Sequence, residues 1–216
     1  MDSRPLFLDT NVYLGYAFPE TLEKYNPECS RLLEIAPNSR HTSRTVEIEL
    51  QKKIRERNKL YRELLGHIIS RAPLDTFQPS SWKESDQEHL KKLVQGYKEG
   101  LYDLEFLRTL GATLKIGVDS GIKKTSQPLI EASTNTDMKD DLRFIAGVHV
   151  PDNIILTDFF AWALTQSQGA CFVTGDGGIS DNKAAIFNCI SYANDCSPLS
   201  ILFVTSAAEK YCPVPT

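Results

Sequence analysis

Leu6-Phe7-Leu8-Asp9 and Phe172-Val173-Thr174-Gly175-Asp176 are the stretches on which the reading of the fold turns. Each is a short apolar run that ends in an acid. Such a run reads as a strand buried on both faces, delivering a carboxylate at its C-terminal end. The first run extends back to Pro5 and the second to Ala170, and Leu199 to Val204 is a third of the same kind. None alternates apolar with polar residues, and helical patterns separate them. That combination predicts an α/β fold with a central parallel sheet and helices on both faces. In such sheets function gathers outside the carboxyl ends of the strands.

The intervening sequence supplies the helices. Asn26-Pro27-Glu28 predicts a helix start with Asn as cap and Pro at the first helical position, and Leu32, Leu33 and Ala36 give it an apolar face. Arg40-His41-Thr42-Ser43 reads as a short strand. It leads into a helix from about Thr45 to Ser70, where Val46, Leu50, Ile54, Tyr61, Leu64, Leu65 and Ile68 recur at helical spacings. Ser81-Trp82-Lys83-Glu84 is a capping box. Leu90, Leu93, Val94, Tyr97, Leu101, Leu104 and Leu107 predict helix broken at Gly96 or Gly100. The stretch 117–136, rich in Gly, Ser, Thr and Lys, reads as a mobile loop. Asp137 to Val148 is a further helix, and Thr157 is placed to cap one through Gln166. No repeat or linker divides the chain. Residues 1–216 are expected to form a single domain, with about 75–150 as a helical and loop insertion.

Composition bounds the function. The 216 residues are 41% hydrophobic and 24% charged, with 12 Gly and 11 Pro, which excludes a collagen, a low-complexity protein or a disordered tail. A net charge of −4 excludes a uniformly basic nucleic-acid coat, though not a local basic patch. No apolar run is long enough to span a membrane, and the first residues do not read as a signal peptide. The five cysteines, 29, 171, 189, 196 and 212, are odd in number and lack a C-x-x-C pair. They are expected to be free thiols in a reducing, cytoplasmic setting. Histidines 41, 67, 89 and 149 are scattered and read as non-catalytic.

Four acids hold positions with a chemical meaning. Asp9 and Asp176 end strands, Glu49 lies in the first turns of the basic helix, and Asp158 follows Thr157. Separately, each has an ordinary explanation: strand-end loops favour Asp, a helix N-terminus attracts a carboxylate, and a charged helix solvates a Glu. Together at one sheet edge they would repel one another unless cations lay between them. All-oxygen donor sets suit Mg²⁺ or Mn²⁺, one ion or two. Asp152 and Asp181 are further acids nearby, so the third and fourth ligands stay open between these positions.

Phe7-Leu8-Asp9-Thr10-Asn11-Val12-Tyr13-Leu14 resembles the opening motif of PIN-domain nucleases. Ser43-Arg44-Thr45-Val46-Glu47-Ile48-Glu49-Leu50 looks like their second motif and selects Glu49 rather than Glu47. Asp158-Phe159-Phe160-Ala161-Trp162-Ala163-Leu164 resembles the third, and Phe172 to Asp176 the fourth; Ile201 to Thr205 looks like the family's last strand. The resemblance covers about 1–70 and 150–206. It implies a metal-dependent nuclease, an endoribonuclease above all, with Asp9, Glu49, Asp158 and Asp176 holding the ions. Asn11 and Thr174 would then orient the carboxylates or the attacking water. It also implies an RNA substrate, and it is compatible with an antitoxin or other protein partner and with a homodimer.

Two other readings compete. Gly175-Asp176-Gly177-Gly178-Ile179-Ser180-Asp181 looks like the last motif of haloacid dehalogenase-like phosphohydrolases, with Asp9 as nucleophile and Asp176 and Asp181 on the metal. That chemistry asks for a general acid two positions after the nucleophile, where this chain has Asn11, and an amide cannot deliver the proton. The second is a PIN-like scaffold that binds RNA or protein without cleaving. No Gly-rich nucleotide loop is present.

The substrate surface is expected on the basic helix. Leu50 to Leu64 holds Lys52, Lys53, Arg55, Arg57, Lys59 and Arg62 against Glu56 and Glu63. Lys53 and Arg57 are the candidate phosphate contacts, Lys53 lying one turn after Glu49. Lys115, Lys123 and Lys124 form a weaker patch, and the register of Tyr61 suits the core better than base stacking.

Overall fold

The structure is a computed structural model that describes residues 3–36, 38–79, 84–190 and 199–213. Four strands form one parallel sheet: β1 (Leu6–Leu8), β2 (Arg40–His41), β3 (Ala170–Thr174) and β4 (Leu199–Phe203), in the order β2-β1-β3-β4. The apolar runs are strands because both their faces are covered. Phe7 pairs with Phe172 across β1 and β3, their rings stacked 5.6 Å apart. Phe159 and Trp162 of α7 (Asp152–Ala163) close over them. Side chains alternate along a strand. Cys171 therefore points the other way, where the Tyr211 side chain of α10 (Val204–Tyr211) meets it. Each fully buried aromatic ring contributes roughly 1.5–3 kcal/mol by leaving water.

On the N-terminal side, α1 (Thr10–Ala17) follows β1 directly and packs on α2 (Asn26–Glu34). The α2 start differs from the expectation by one residue. Tyr25 is the N-cap, and Asn26, inside the helix, spends its amide on the carbonyls of Gly15 and Tyr16 at 3.0 and 3.3 Å. Helix α3 (Arg44–Ile69) is capped by Ser43, whose hydroxyl accepts from the Val46 N–H at 3.4 Å. Ser81, Trp82 and Lys83 of the expected capping box lie outside the described residues. Helix α4 (Glu84–Lys98) gives way at Gly100, which has φ +75°, and α5 (Leu104–Lys123) restarts on Asp103 as N-cap. The break is thus at Gly100, not at Gly96, whose missing side chain leaves room for the Tyr102 ring.

Two expectations fail for tertiary reasons. The stretch 117–136 is not a loop throughout, because α5 continues to Lys123 and α6 (Thr136–Phe144) begins at its end. Gly117 and Gly121 lie inside α5 because α5 crosses α1 closely there. A Cβ on Gly117 would stand 2.7 Å from the Ala17 Cα, and one on Gly121 would stand 3.0 Å from the Tyr13 ring. Nor does Thr157 cap a helix: α7 begins at Asp152, and the Thr157 hydroxyl donates to the Asn153 carbonyl one turn back at 2.7 Å. Between residues 75 and 150 the chain forms α4, α5 and α6. Helix α5 packs on α1 and α3 with Leu107, Leu110, Leu114 and Val118 buried. Helices α8 (Gly177–Asp181) and α9 (Lys183–Ile190) follow β3. Four cysteines, 29, 171, 189 and 212, are buried free thiols, and Cys196 lies outside the described residues. Among the described residues no helix is long and apolar enough to cross a membrane.

The α1–α5 crossing sets a paired test. Gly→Ala in an open helix interior gains up to about 1 kcal/mol from propensity, whereas overpacking costs about 1–3 kcal/mol. A Cβ on Gly66 would meet nothing within 4 Å, whereas one on Gly117 would meet backbone. Urea denaturation should show Gly66→Ala more stable than wild type and Gly117→Ala less stable. Equal gains at both positions would contradict the close crossing.

Candidate active site

The site begins with Asp9. Its backbone N–H donates to Val173 O at 3.0 Å, extending the β1–β3 ladder by one residue. Its side chain is almost wholly buried and fully engaged. Oδ1 accepts from the Thr10 N–H at 2.7 Å, and Oδ2 accepts from the Thr174 hydroxyl at 2.7 Å. The Asn11 amide lies 3.5 Å from Oδ2, at the limit of a hydrogen bond. Thr174 Oγ1 in turn accepts from the Asp176 N–H at 2.9 Å. Asp176 caps α8 through Gly178 N–H at 2.7 Å. The turn between them is tight: a Cβ on Gly175 would come within 3.1 Å of Asn11 Cβ. Asn11 and Thr174 thus both lie beside Asp9 Oδ2, between the ends of β1 and β3.

Three further acids differ in how they relate to this centre. Glu49, early in α3, accepts a hydrogen bond from the Thr10 hydroxyl. Glu47 instead pairs with Arg44 at the surface, 2.6 Å apart. Asp152 occupies the first turn of α7 and lines a cleft of about 260 Å³ with Asp176, His149 and Asn182. Asp158 is turned elsewhere. It lies six residues further along α7, about 9 Å up the axis, fully buried, and its Oδ1 accepts from the Ser133 N–H at 2.7 Å. Asp181 ends α8 and is exposed. Asp152 and Glu49 thus act electrostatically on Asp9, and Asp176 and Glu49 on Asp152. Asp158 anchors the chain before α6 instead.

That action is visible in the proton affinities. Burial pushes the Asp9 carboxyl up to about 8, with Asp152 and Glu49 adding to the rise and the Thr174 hydrogen bond opposing it. Burial likewise pushes Asp152 up to about 7, helped by Asp176 and Glu49 and opposed by Lys53. Lys53, one turn after Glu49 on α3, is the cation that opposes the rise at Asp152.

Arg57 behaves otherwise. It falls on the apolar stripe of α3, between Ile54 and Tyr61, and is buried there. Its guanidinium holds Glu23 at 3.3 Å and faces Asp86 at 3.4 Å. It forms the floor of a neighbouring cleft rather than an exposed flank. Lys52 is exposed on the opposite side of the helix, as is Arg55. The second basic patch is also altered. Lys115 lies on α5 and pairs with Asp119 at 2.7 Å, and Lys124 reaches Glu34 at 3.7 Å. Tyr61 is in the core, its hydroxyl 2.8 Å from His89 Nε2.

The donors fit a hard divalent cation in kind. They are all oxygen, and two of them, Asp9 and Asp152, are held at elevated proton affinity, a state that a cation would relieve. Among the described residues, however, no group of three or more His, Cys, Asp or Glu side chains is arranged to hold a metal ion. Asp152 is the third acid that sequence reasoning left unassigned, although a signal exists. Val150-Pro151-Asp152 carries Pro and an acid at a helix start, the pattern that locates N-termini. His149, exposed on the same cleft, has no sequence signal at all.

No family model matches this chain, and no curated protein or solved structure matches it either.

The buried acids set the pH dependence of stability without metal. The Asp9 pKa is raised on folding, so the folded chain binds a proton that the unfolded chain has released between about pH 4 and about pH 8. Stability should therefore fall as pH rises across that interval. Asp9→Asn cannot lose this proton. In EDTA its melting temperature should exceed that of wild type at pH 8.5 by several degrees, each kcal/mol being worth about 2–4 °C in a domain this size. The two should converge near pH 5. A difference independent of pH would show that Asp9 is not protonated in the fold.

Proposed function

We propose that this chain is a metal-dependent nuclease, hydrolysing RNA phosphodiester bonds at the Asp9 edge of the sheet. The observation that carries the reading is the gathering of acids from the ends of β1 and β3, from α3 and from α7, where burial and neighbouring acids push Asp9 up to about 8 and Asp152 up to about 7. RNA rather than DNA follows from the resemblance to PIN-domain nucleases.

Asp9, Glu49, Asp152 and Asp176 would hold the ion. Mg²⁺ or Mn²⁺ there would supply an acidified water and positive charge against the phosphate. The chain's own residues do the positioning. Thr174 and the Thr10 N–H fix both Asp9 oxygens, leaving the carboxyl no rotational freedom. The Thr10 hydroxyl orients Glu49. Lys53 stands at the edge of the acids, where it can draw in a phosphate that the carboxylates alone would repel. Burial of Asp9 keeps bulk water off its carboxyl. The phosphohydrolase alternative fares worse: its nucleophile would be a carboxyl pushed up to about 8, and Asp181 is exposed at the end of α8.

The test is Mn²⁺- and Mg²⁺-dependent cleavage of end-labelled RNA, against an EDTA control. Asp9→Asn and Asp152→Asn should each lower the rate by at least about 100-fold. Asp158→Asn keeps an acceptor for the Ser133 N–H and should stay within about tenfold of wild type. If Asp158→Asn abolished cleavage and Asp152→Asn did not, Asp158 would be the third ligand. Metal-independent cleavage, or none by folded wild type, would refute the nuclease.

A further inference from the structure

A second cleft, of about 370 Å³, opens beside the acids between α3, α4 and the turn joining α1 to α2. It shares Asn11 and Lys53 with the acid site, and it adds Lys24, Arg57, His89 and Lys92 from positions the acids do not use. Its size falls in the range of small-ligand pockets, about 300–1,000 Å³.

The floor is rigid and polar. Arg57 is held by Glu23 and lies over the Phe18 ring, 5.1 Å from its centroid. His89 is buried against the same ring at 4.8 Å and touches the Tyr61 hydroxyl. Arg57 Nε and His89 Nδ1 are buried, and each has a carboxylate at 3.4 Å, Asp86 for Arg57 and Glu23 for His89. Glu23, which stands 3.4 Å from His89 Nδ1, is already committed to Arg57 and His89, and its pKa is held below the ordinary carboxylate value by them despite burial. The rim is cationic. Among the described residues neither Lys24 nor Lys53 has a carboxylate within ion-pairing distance. Lys92 pairs with Glu88, a largely exposed side chain, and reaches the Leu22 carbonyl at 3.4 Å. A chain of net charge −4 has thus gathered Lys24, Lys53 and Lys92 around one cleft, over a floor where Glu23 and Asp86 neutralise Arg57. Such a cleft concentrates anions.

We infer that this cleft is a phosphate subsite, taking the backbone phosphate of a neighbouring nucleotide on the strand whose scissile bond lies at the acids. The inference rests on the proposed nuclease reading. The shared residues Asn11 and Lys53 carry it, since a strand at the acids must pass Lys53 to leave the site on this side. It also gives α4, for which the sequence offers no role, a part in binding: α4 supplies His89 and Lys92.

The test is fluorescence anisotropy with a short labelled single-stranded RNA in Ca²⁺. The variants are Lys24→Glu with Lys92→Glu, and a charge-matched pair away from the cleft, Lys98→Glu with Arg108→Glu. Circular dichroism and melting confirm that each folds. The cleft pair should weaken binding at least about tenfold and flatten the slope of log K against log salt by about 0.7 per lost phosphate contact. The distant pair should stay within about threefold of wild type, the part due to net charge alone. Equal weakening by both pairs would overturn the subsite while leaving the nuclease intact, provided wild type still cleaves RNA. Absence of RNA binding and cleavage in wild type would instead refute the nuclease reading itself. Binding of adenosine monophosphate that Lys24→Glu/Lys92→Glu abolishes, with strand binding untouched, would make the cleft a mononucleotide site and overturn the inference.

Discussion

The Thr174 hydroxyl does two things at once: it donates to Asp9 and accepts from the Asp176 N–H. This couples the ends of the two central strands at the point where the chain changes direction across the sheet, β1 connecting outward to β2 and β3 lying on its other side. Crevices in open parallel sheets form at such switch points. Every other feature of the acid site is placed relative to this link. Asp9 starts α1, Asp176 starts α8, and Asn11 and Gly175 pack against one another above it.

Burying a carboxyl is costly unless its oxygens are satisfied. Asp9 meets that condition through Thr10 and Thr174, yet its proton affinity still rises, because burial disfavours the charge and other acids face it. The fold therefore carries a local electrostatic frustration that no packing requirement explains. A sequence selected for stability alone would place an amide or an apolar residue at this point. Concentrations of such unfavourable groups are characteristic of functional sites.

The middle of the chain has two jobs in the structure. Helix α5 is a core element, its Gly117 and Gly121 letting α1 approach more closely than side chains would allow. Helix α4 is joined to α3 by polar contacts: Arg57 reaches Asp86, and His89 meets Tyr61. Ion pairs of this kind contribute little net stability, since desolvation offsets attraction, but breaking one partner leaves a buried charge unpaired. Their effect is to fix α4 in one orientation against α3.

The parallel α/β architecture is legible in the amino-acid order alone. Continuous apolar strands can be satisfied only by cover on both faces, and Phe7 and Phe172 are covered in that way. Asp9 and Asp176 are legible too, because a strand end can be read one residue at a time, and Glu49 is placed relative to Ser43 along one helix. Even the burial of Arg57 is written in the register of Val46, Leu50, Ile54 and Tyr61, on whose stripe it falls. Relations across distance were settled by tertiary packing. Gly117 is helical because Ala17 lies against it, and Arg57 is neutralised because Glu23 and Asp86 arrive from elsewhere. Asp152 acts on Asp9 while Asp158, on the same helix, accepts from Ser133. Local propensity acts over a turn or two of chain. Electrostatic and packing energies depend on separations of a few ångströms between residues that lie far apart along the chain, and those separations exist only once the sheet has closed.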